Sequence, residues 1–189
     1  LSLHDALPIS PSAGHHLKDP GAVNSSGVKE ADKTIELRDL VIKAIERFSP
    51  TTKIISDKDT ETNTQYQNRL KLVKNNIIFD IHFNAAASEL ANGTEVVISA
   101  NAGQASKDIA KEILEGTCRI LGTRNRGILK DTETPRGKIG ILNLAGPAVL
   151  LEVCFISNKD DMAKYELHKR DLAFFIACTL THYDKKLNP

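Results

Sequence analysis

The side chains in this chain that could do chemistry lie in four places: Gly14-His15-His16, Glu30, Ile81-His82-Phe83-Asn84 and Leu151-Glu152-Val153. Together they offer imidazoles and two isolated carboxylates, the donor set of an open metal site with an acid/base group beside it. Zinc catalysis uses three protein ligands and keeps a fourth position for water, whose pKa the ion brings from about 15.7 to about 7. Two neutral imidazoles and one carboxylate leave such a centre with a charge of about +1, which preserves its Lewis acidity. A further carboxylate outside the metal shell can then take the proton of the water and hand it to a leaving amine. The pattern points to hydrolysis of an amide.

Each residue also has an ordinary structural explanation. His15 follows Gly14, and Asp19-Pro20-Gly21 turns the loop straight back, as these turn formers do. His16 is adjacent, and neighbouring side chains diverge, so His16 is expected to face substrate or to support His15 from behind. Glu30 stands just before a predicted helix, where an acid is favoured by the helix dipole whether or not it binds metal. Asp32 shares that property and competes with it. His82 closes an apolar run beside Asn84, and a buried imidazole needs both ring nitrogens satisfied. Glu152, inside Ala-Val-Leu-Leu-Glu-Val-Cys-Phe-Ile, would be desolvated and its pKa pushed upward. A carboxyl group there is either a paired structural charge or a tuned acid/base.

Elements able to position these groups alternate along the chain. Apolar spacing predicts a helix over Glu36–Phe48, stopped by Ser49-Pro50, and a second over Thr64–Lys74. A third is expected over Ala105–Leu121, closed by Gly122, and a fourth over Asp160–Tyr183 with Leu167, Leu172, Phe175, Ile176 and Leu180 facing inward. Strands are expected at Lys53–Ser56, Ile77–Phe83, Thr94–Ser99 and Ala148–Cys154, and Arg124–Ile141 reads as a long loop with one short strand. This alternation implies an α/β class: a single domain with a twisted, mostly parallel or mixed sheet and helices on both faces. In such sheets the loops at the carboxyl ends of strands gather functional groups, and His82 and Glu152 sit near two of them.

Composition narrows the function. A length of 189 residues suits one core, and a formal charge of +1, from 25 basic and 24 acidic residues, gives no electrostatic reason to expect a nucleic acid partner. No apolar run approaches a membrane span, so no membrane partner is expected. Cys118, Cys154 and Cys178 are odd in number and far apart, which argues against a disulfide framework and fits folding in a reducing compartment. Leu1–Ile9 matches the translation of a common sequencing-adapter oligonucleotide. Residues 1–10 are therefore expected to be a non-native leader in place of the true N-terminus and of most of a first strand, and His4 and Asp5 are set aside.

Taken in order, the motifs resemble the zinc-dependent N-acetylmuramoyl-L-alanine amidases of the amidase-3 type, found in bacterial autolysins and phage endolysins. Gly14-His15, Asp19-Pro20-Gly21-Ala22, Lys29-Glu30, Ile81-His82-Phe83-Asn84 and Leu150-Leu151-Glu152 through Ser157-Asn158 fall where that pattern requires. The resemblance covers most of residues 11–189, the expected catalytic domain. It implies His15, Glu30 and His82 as ligands of Zn2+, Glu152 as general base, and Asn84 and His16 as substrate-contacting residues. The implied substrate is peptidoglycan, cut between N-acetylmuramic acid and L-alanine at the cell wall, after export or phage release. A monomer is expected. Arg69 matches an arginine common in the family and reads as a surface ion pair.

Departures from the pattern are His16-Leu17 for Gly-Gly, Ser56-Asp57 for Thr-Arg and Cys154 for Gly, the last introducing a thiol near Glu152. Phe83–Gly93 is too short for the autoinhibitory helix of some relatives, so activity without an activator is expected. A non-catalytic wall-binding homologue and a zinc peptidase acting on stem peptides remain as alternative readings.

Overall fold

Along residues 77–84, Ile77, Phe79, Ile81 and Phe83 join one apolar cluster while Ile78 joins another, and Asp80 and His82 share the second side. That two-residue repeat of extended chain divides the molecule into two layers around one sheet. In the computed structural model, which describes residues 7–187, the elements run β1 (Ile9–Ala13), α1 (Glu30–Phe48), α2 (Asn63–Leu70), β2 (Ile77–Asn84), β3 (Thr94–Ile98), α3 (Gln104–Leu121), β4 (Asn125–Lys130), β5 (Ala148–Phe155) and α4 (Lys159–Leu187). The strand order is β1-β2-β5-β3-β4. β1, β2 and β5 are mutually parallel, and β3 runs antiparallel to β5 and parallel to β4, so the sheet is mixed.

α1, α3 and α4 cover one face. Leu37, Val41 and Ile45 of α1, Ile109 and Ile113 of α3, and Leu172, Ile176 and Leu180 of α4 bury themselves against Phe79, Ile81, Val149 and Leu151. Tyr66 and Leu70 of α2, with Ile141 and Leu142 from a short 3-10 turn, cover part of the other face over Ile78, Val97 and Leu150. The uncovered remainder of that second face is where the polar residues of the strands collect.

Several boundaries differ from the sequence expectation. α1 begins at Glu30 and not at Glu36, because its first turns bury Ala31 and Thr34, a polar residue that hides the apolar period. Lys53–Ser56 makes only a single bridge, Ile9 to Ile54. Leu167 does not face the sheet: it is 76% exposed. Leu7–Ser10, within the expected leader, are buried, and Ile9 and Ser10 belong to β1; His4 and Asp5 lie outside the described residues. Pro11 is accommodated because β1 is an edge strand. The three cysteines are unpaired, with Cys154 buried, Cys118 half-buried and Cys178 exposed. No helix among the described residues is long and apolar enough to cross a membrane.

Candidate active site

The carboxyl ends of β1, β2 and β5 lie side by side because these strands are parallel, and each delivers one part of a cluster. β1 leads into Gly14-His15, β2 presents His82, and Glu152 of β5 pairs in register with His82. Glu30 arrives from the first residue of α1. Ligand atoms of His15, Glu30 and His82 lie within 4.8 Å of one another, so this cluster could hold a metal ion. All three side chains are buried, whereas Asp32 is exposed and takes no part.

Backbone geometry sets the convergence. The first amides of α1 are capped by the loop before it: Glu30 N donates to Ala22 O at 2.8 Å and Ala31 N to Pro20 O at 3.1 Å. Ala22 N in turn donates to Glu30 Oε2 and Phe83 N to Glu30 Oε1, each at 3.0 Å. Gly14 and Gly21 are required by close approach. A methyl group at Gly14 would overlap the His82 ring, and one at Gly21, whose φ is +63°, would sit 2.7 Å from both Glu30 Oε2 and His15 Cδ2.

Each imidazole is oriented by a carboxylate on its far side. His15 Nδ1 is 3.0 Å from Asp19 Oδ2, and His82 Nε2 is 3.2 Å from Asp80 Oδ2, while the other oxygen of Asp80, Oδ1, accepts from Ser12 Oγ at 2.6 Å. With those nitrogens donating, neutral His15 and His82 would turn the lone pairs of Nε2 and Nδ1 to the shared point, the usual arrangement behind metal-bound histidine. His82 Nδ1 lies 3.1 Å from Glu30 Oε1. His15 Nε2 lies 3.3 Å from Glu30 Oε2 yet is hydrogen bonded to no described residue, and Glu152 Oε2 is likewise buried without a partner. The converging donors of His15, Glu30 and His82 fit a cation, and the orphaned Glu152 oxygen beside them fits a water, since buried polar atoms are otherwise satisfied.

The family model described as N-acetylmuramoyl-L-alanine amidase (Amidase_3) matches residues 12–177. The chain belongs to this amidase family. It is 29% identical over 174 residues to an uncharacterized protein of Clostridium perfringens strain 13, an alignment taking in 88% of this chain and 49% of the relative. The chain thus spans about half the length of the curated relative it matches. Among solved structures, the catalytic domain of CwlV, an N-acetylmuramoyl-L-alanine amidase from Bacillus (Paenibacillus) polymyxa var. colistinus, superposes with a TM-score of 0.78 at 26% identity, covering 94% of this chain and 98% of that one. An N-acetylmuramoyl-L-alanine amidase from Clostridium difficile 630 shares the fold, with a TM-score of 0.80 at 20% identity over 95% and 97% of the two chains.

In this member of the amidase family the cluster opens into a cleft of about 370 Å³ lined by His15, Glu30, Asn84, Glu95, Arg136 and Glu152 among others. Burial pushes the Glu152 carboxyl up to about 7, although the nearby His82 pulls the other way. Burial would also raise Glu30 and lower His82. Instead the mutual contacts win: both histidines hold Glu30 well below the usual carboxylate range, and Asp80 and Glu30 raise His82 to about 10. His15 is raised as well, the Glu30 carboxylate outweighing desolvation.

Asn84 lines the cleft and donates from Nδ2 to Glu95 Oε1 at 3.0 Å. His16 is half-buried outside the cleft lining, its Nδ1 accepting from Lys18 N at 3.3 Å. Cys154 lies in the helix-side core, away from the cluster, and burial keeps its thiol protonated. Arg69 grips Glu61 with two hydrogen bonds of 2.7 Å at the surface. At the departure Ser56-Asp57, Asp57 accepts from Ala13 N at 3.1 Å and from Arg38 Nη1 at 2.8 Å, which ties the end of β1 to α1 just before His15.

Sequence reasoning overlooked Asp19, Asp80, Glu95 and Arg136. Asp80 was accessible, because residues two apart on a strand share a face, and so was Glu95, the single acid in the apolar β3. Arg136 carried no such signal.

Proposed function

We propose that this chain hydrolyses the amide joining the lactyl group of N-acetylmuramic acid to L-alanine in peptidoglycan, with zinc held by His15, Glu30 and His82. The observation that carries this reading is the convergence of His15, His82 and an ionised Glu30, with the buried Glu152 Oε2 unpartnered beside them, at the floor of an open cleft. When bound, such an ion supplies Lewis acidity that makes water a nucleophile near neutral pH and polarises a carbonyl.

The chain's own residues supply the rest. Asp19 and Asp80 hold the imidazole tautomers, and Ala22 N and Phe83 N fix the Glu30 carboxylate. Glu152, poised near neutrality by burial, accepts the proton of the attacking water. It then delivers that proton to the departing L-alanine nitrogen, so the base ends the cycle ionised again. Asn84, braced by Glu95, is placed to contact the substrate backbone. Residues 85–93, between β2 and β3, form a short connection without a helix, consistent with activity that needs no activating partner. The site of action would be the cell wall, reached by export or by phage-mediated release.

Glu152→Gln tests the assignment. The variant should retain one equivalent of zinc and its melting temperature, since a neutral amide suits a buried site with no partner. Release of new N-terminal L-alanine from purified peptidoglycan should fall at least a hundredfold, roughly the share of general-base catalysis. Undiminished release would remove Glu152 from its role, and new amines other than alanine would mark a peptidase.

A further inference from the structure

Four glutamates line the cleft, Glu30, Glu95, Glu133 and Glu152, and Arg136 is its single lysine or arginine. Glu30 is engaged by two imidazoles, and Glu95 by Asn84 and by Arg126 Nε at 3.0 Å. No hydrogen bond or ion pair joins the Arg136 side chain to another described residue. Arg136 also borders a smaller cavity of about 70 Å³ behind His82, beside Ser12 and Asp80. Arg136 thus borders both cavities, and its charge acts on Glu152.

The backbone that carries it is fixed. Thr134-Pro135-Arg136-Gly137 is a β-turn closed by Gly137 N donating to Thr134 O at 3.0 Å, with proline and glycine where such turns favour them. Asp131 anchors both ends of the surrounding loop, accepting from Ala100 N and Thr132 N at 2.9 Å, Asn143 Nδ2 at 3.0 Å and Ile139 N at 3.2 Å. Arg136 is exposed at the rim of this acidic cleft with no hydrogen bond or ion pair to a described residue, so its guanidinium is open to an incoming anion. Arginine's planar fork matches a carboxylate in particular.

On the amidase reading above, the chemistry of the substrate says where that anion lies. The lactyl carboxyl of muramic acid is consumed in the scissile amide, and the sugar offers no other acid. Carboxylates lie only in the stem peptide, the first being the α-carboxylate of a second-position glutamate linked through its side chain, which is free in some walls and amidated in others. We propose that Arg136 is a specificity-determining residue that pairs with this free carboxylate and sets a preference for non-amidated stem peptides.

The test compares two synthetic substrates, N-acetylmuramoyl-L-alanyl-γ-D-glutamyl-L-lysine amide and the same compound with the glutamyl α-carboxylate amidated, with zinc-loaded wild type, Arg136→Gln and Arg136→Lys. Wild type should favour the acid about tenfold or more in KM. Arg136→Gln should raise KM for the acid roughly ten- to hundredfold, as loss of a charged hydrogen bond does, with KM for the amide little altered and any change in kcat, from the lost charge beside Glu152, shared by both substrates. Arg136→Lys should keep part of the preference, with zinc content and melting temperature unchanged in both variants. An acid-to-amide ratio identical in wild type and Arg136→Gln overturns the assignment. Wild type that cleaves neither substrate sinks the amidase reading, and this inference with it.

Discussion

Gly21→Ala isolates how tightly the fold must hold the cluster. The added methyl would lie 2.7 Å from Glu30 Oε2 and from His15 Cδ2, about 0.7 Å short of ordinary contact at 3.4 Å. Glu30 and His15 must retreat by about that amount, whereas a metal site tolerates only about 0.2 Å in its ligand distances. The φ of +63° adds a conformational penalty of about 1–2 kcal/mol for any side chain. For a domain of this size that corresponds to a drop of roughly 2–8 °C in Tm.

Gly122→Ala is the control. Its φ is +64°, but its methyl would meet nothing within 4 Å, so it incurs the conformational cost alone. Both variants should therefore melt lower, Gly21→Ala by more because of its added contacts, while only Gly21→Ala loses zinc affinity, by tenfold or more. Calorimetric titration of the metal-free proteins, with circular dichroism to verify folding, reads both effects. A Gly21→Ala protein that binds zinc as tightly as wild type would show that the ligands are not held where the geometry places them.

Two further outcomes follow from the charges around the histidines. Asp80→Asn removes the carboxylate behind His82 and should weaken zinc binding by about ten- to hundredfold without unfolding the chain, measurable as zinc retained after dialysis; full retention would refute the orienting role. Because Asp80 and Glu30 overcome desolvation and raise His82 to about 10, its imidazole is protonated at pH 7 in the metal-free protein. Zinc loading must then expel at least one proton, and apparent affinity should fall about tenfold per unit as pH drops below that value. The metal-free fold shows the opposite sign: a raised histidine contributes stability fully present below its unfolded pKa of about 6.5 and lost as pH rises through about 10. A binding heat that is the same in buffers of different ionisation enthalpy would contradict the proton release.

How much of this was readable in the sequence depends on the range over which each relation acts. His82 and Glu152 stood out because a polar residue in an apolar strand breaks a local pattern, and both proved to lie on the cluster face. α3 and its Gly122 cap were legible for the same reason, a 3.6-residue period ended by a left-handed glycine. Glu30 could not be chosen over Asp32 by any local rule, since both favour the helix dipole. Capping of α1 by the carbonyls of Pro20 and Ala22 decides between them, and that contact forms only when the loop folds back. β1 went unread because residues 1–10 read as a leader replacing most of a first strand, whereas Ile9 and Ser10 belong to that strand.

Cys154 shows where periodicity itself misleads. Two residues beyond Glu152, it should share the face of the cluster and so offer a thiolate to the metal. The ladder between β2 and β5 pairs His82 with Glu152 but Asn84 with Phe155, so β5 carries one extra residue across that step. The bulge turns Cys154 to the opposite side, into the helix-packed core, while Phe83 N, on the β1 side of the strand and beyond the end of that ladder, holds Glu30. A single irregularity thus removes a competing soft ligand from the site. The cysteine in place of the family's usual glycine is tolerated because that bulge disposes of it. A regular ladder at this point would bring the thiol beside Glu152 and weaken the case for a site of two histidines and one glutamate.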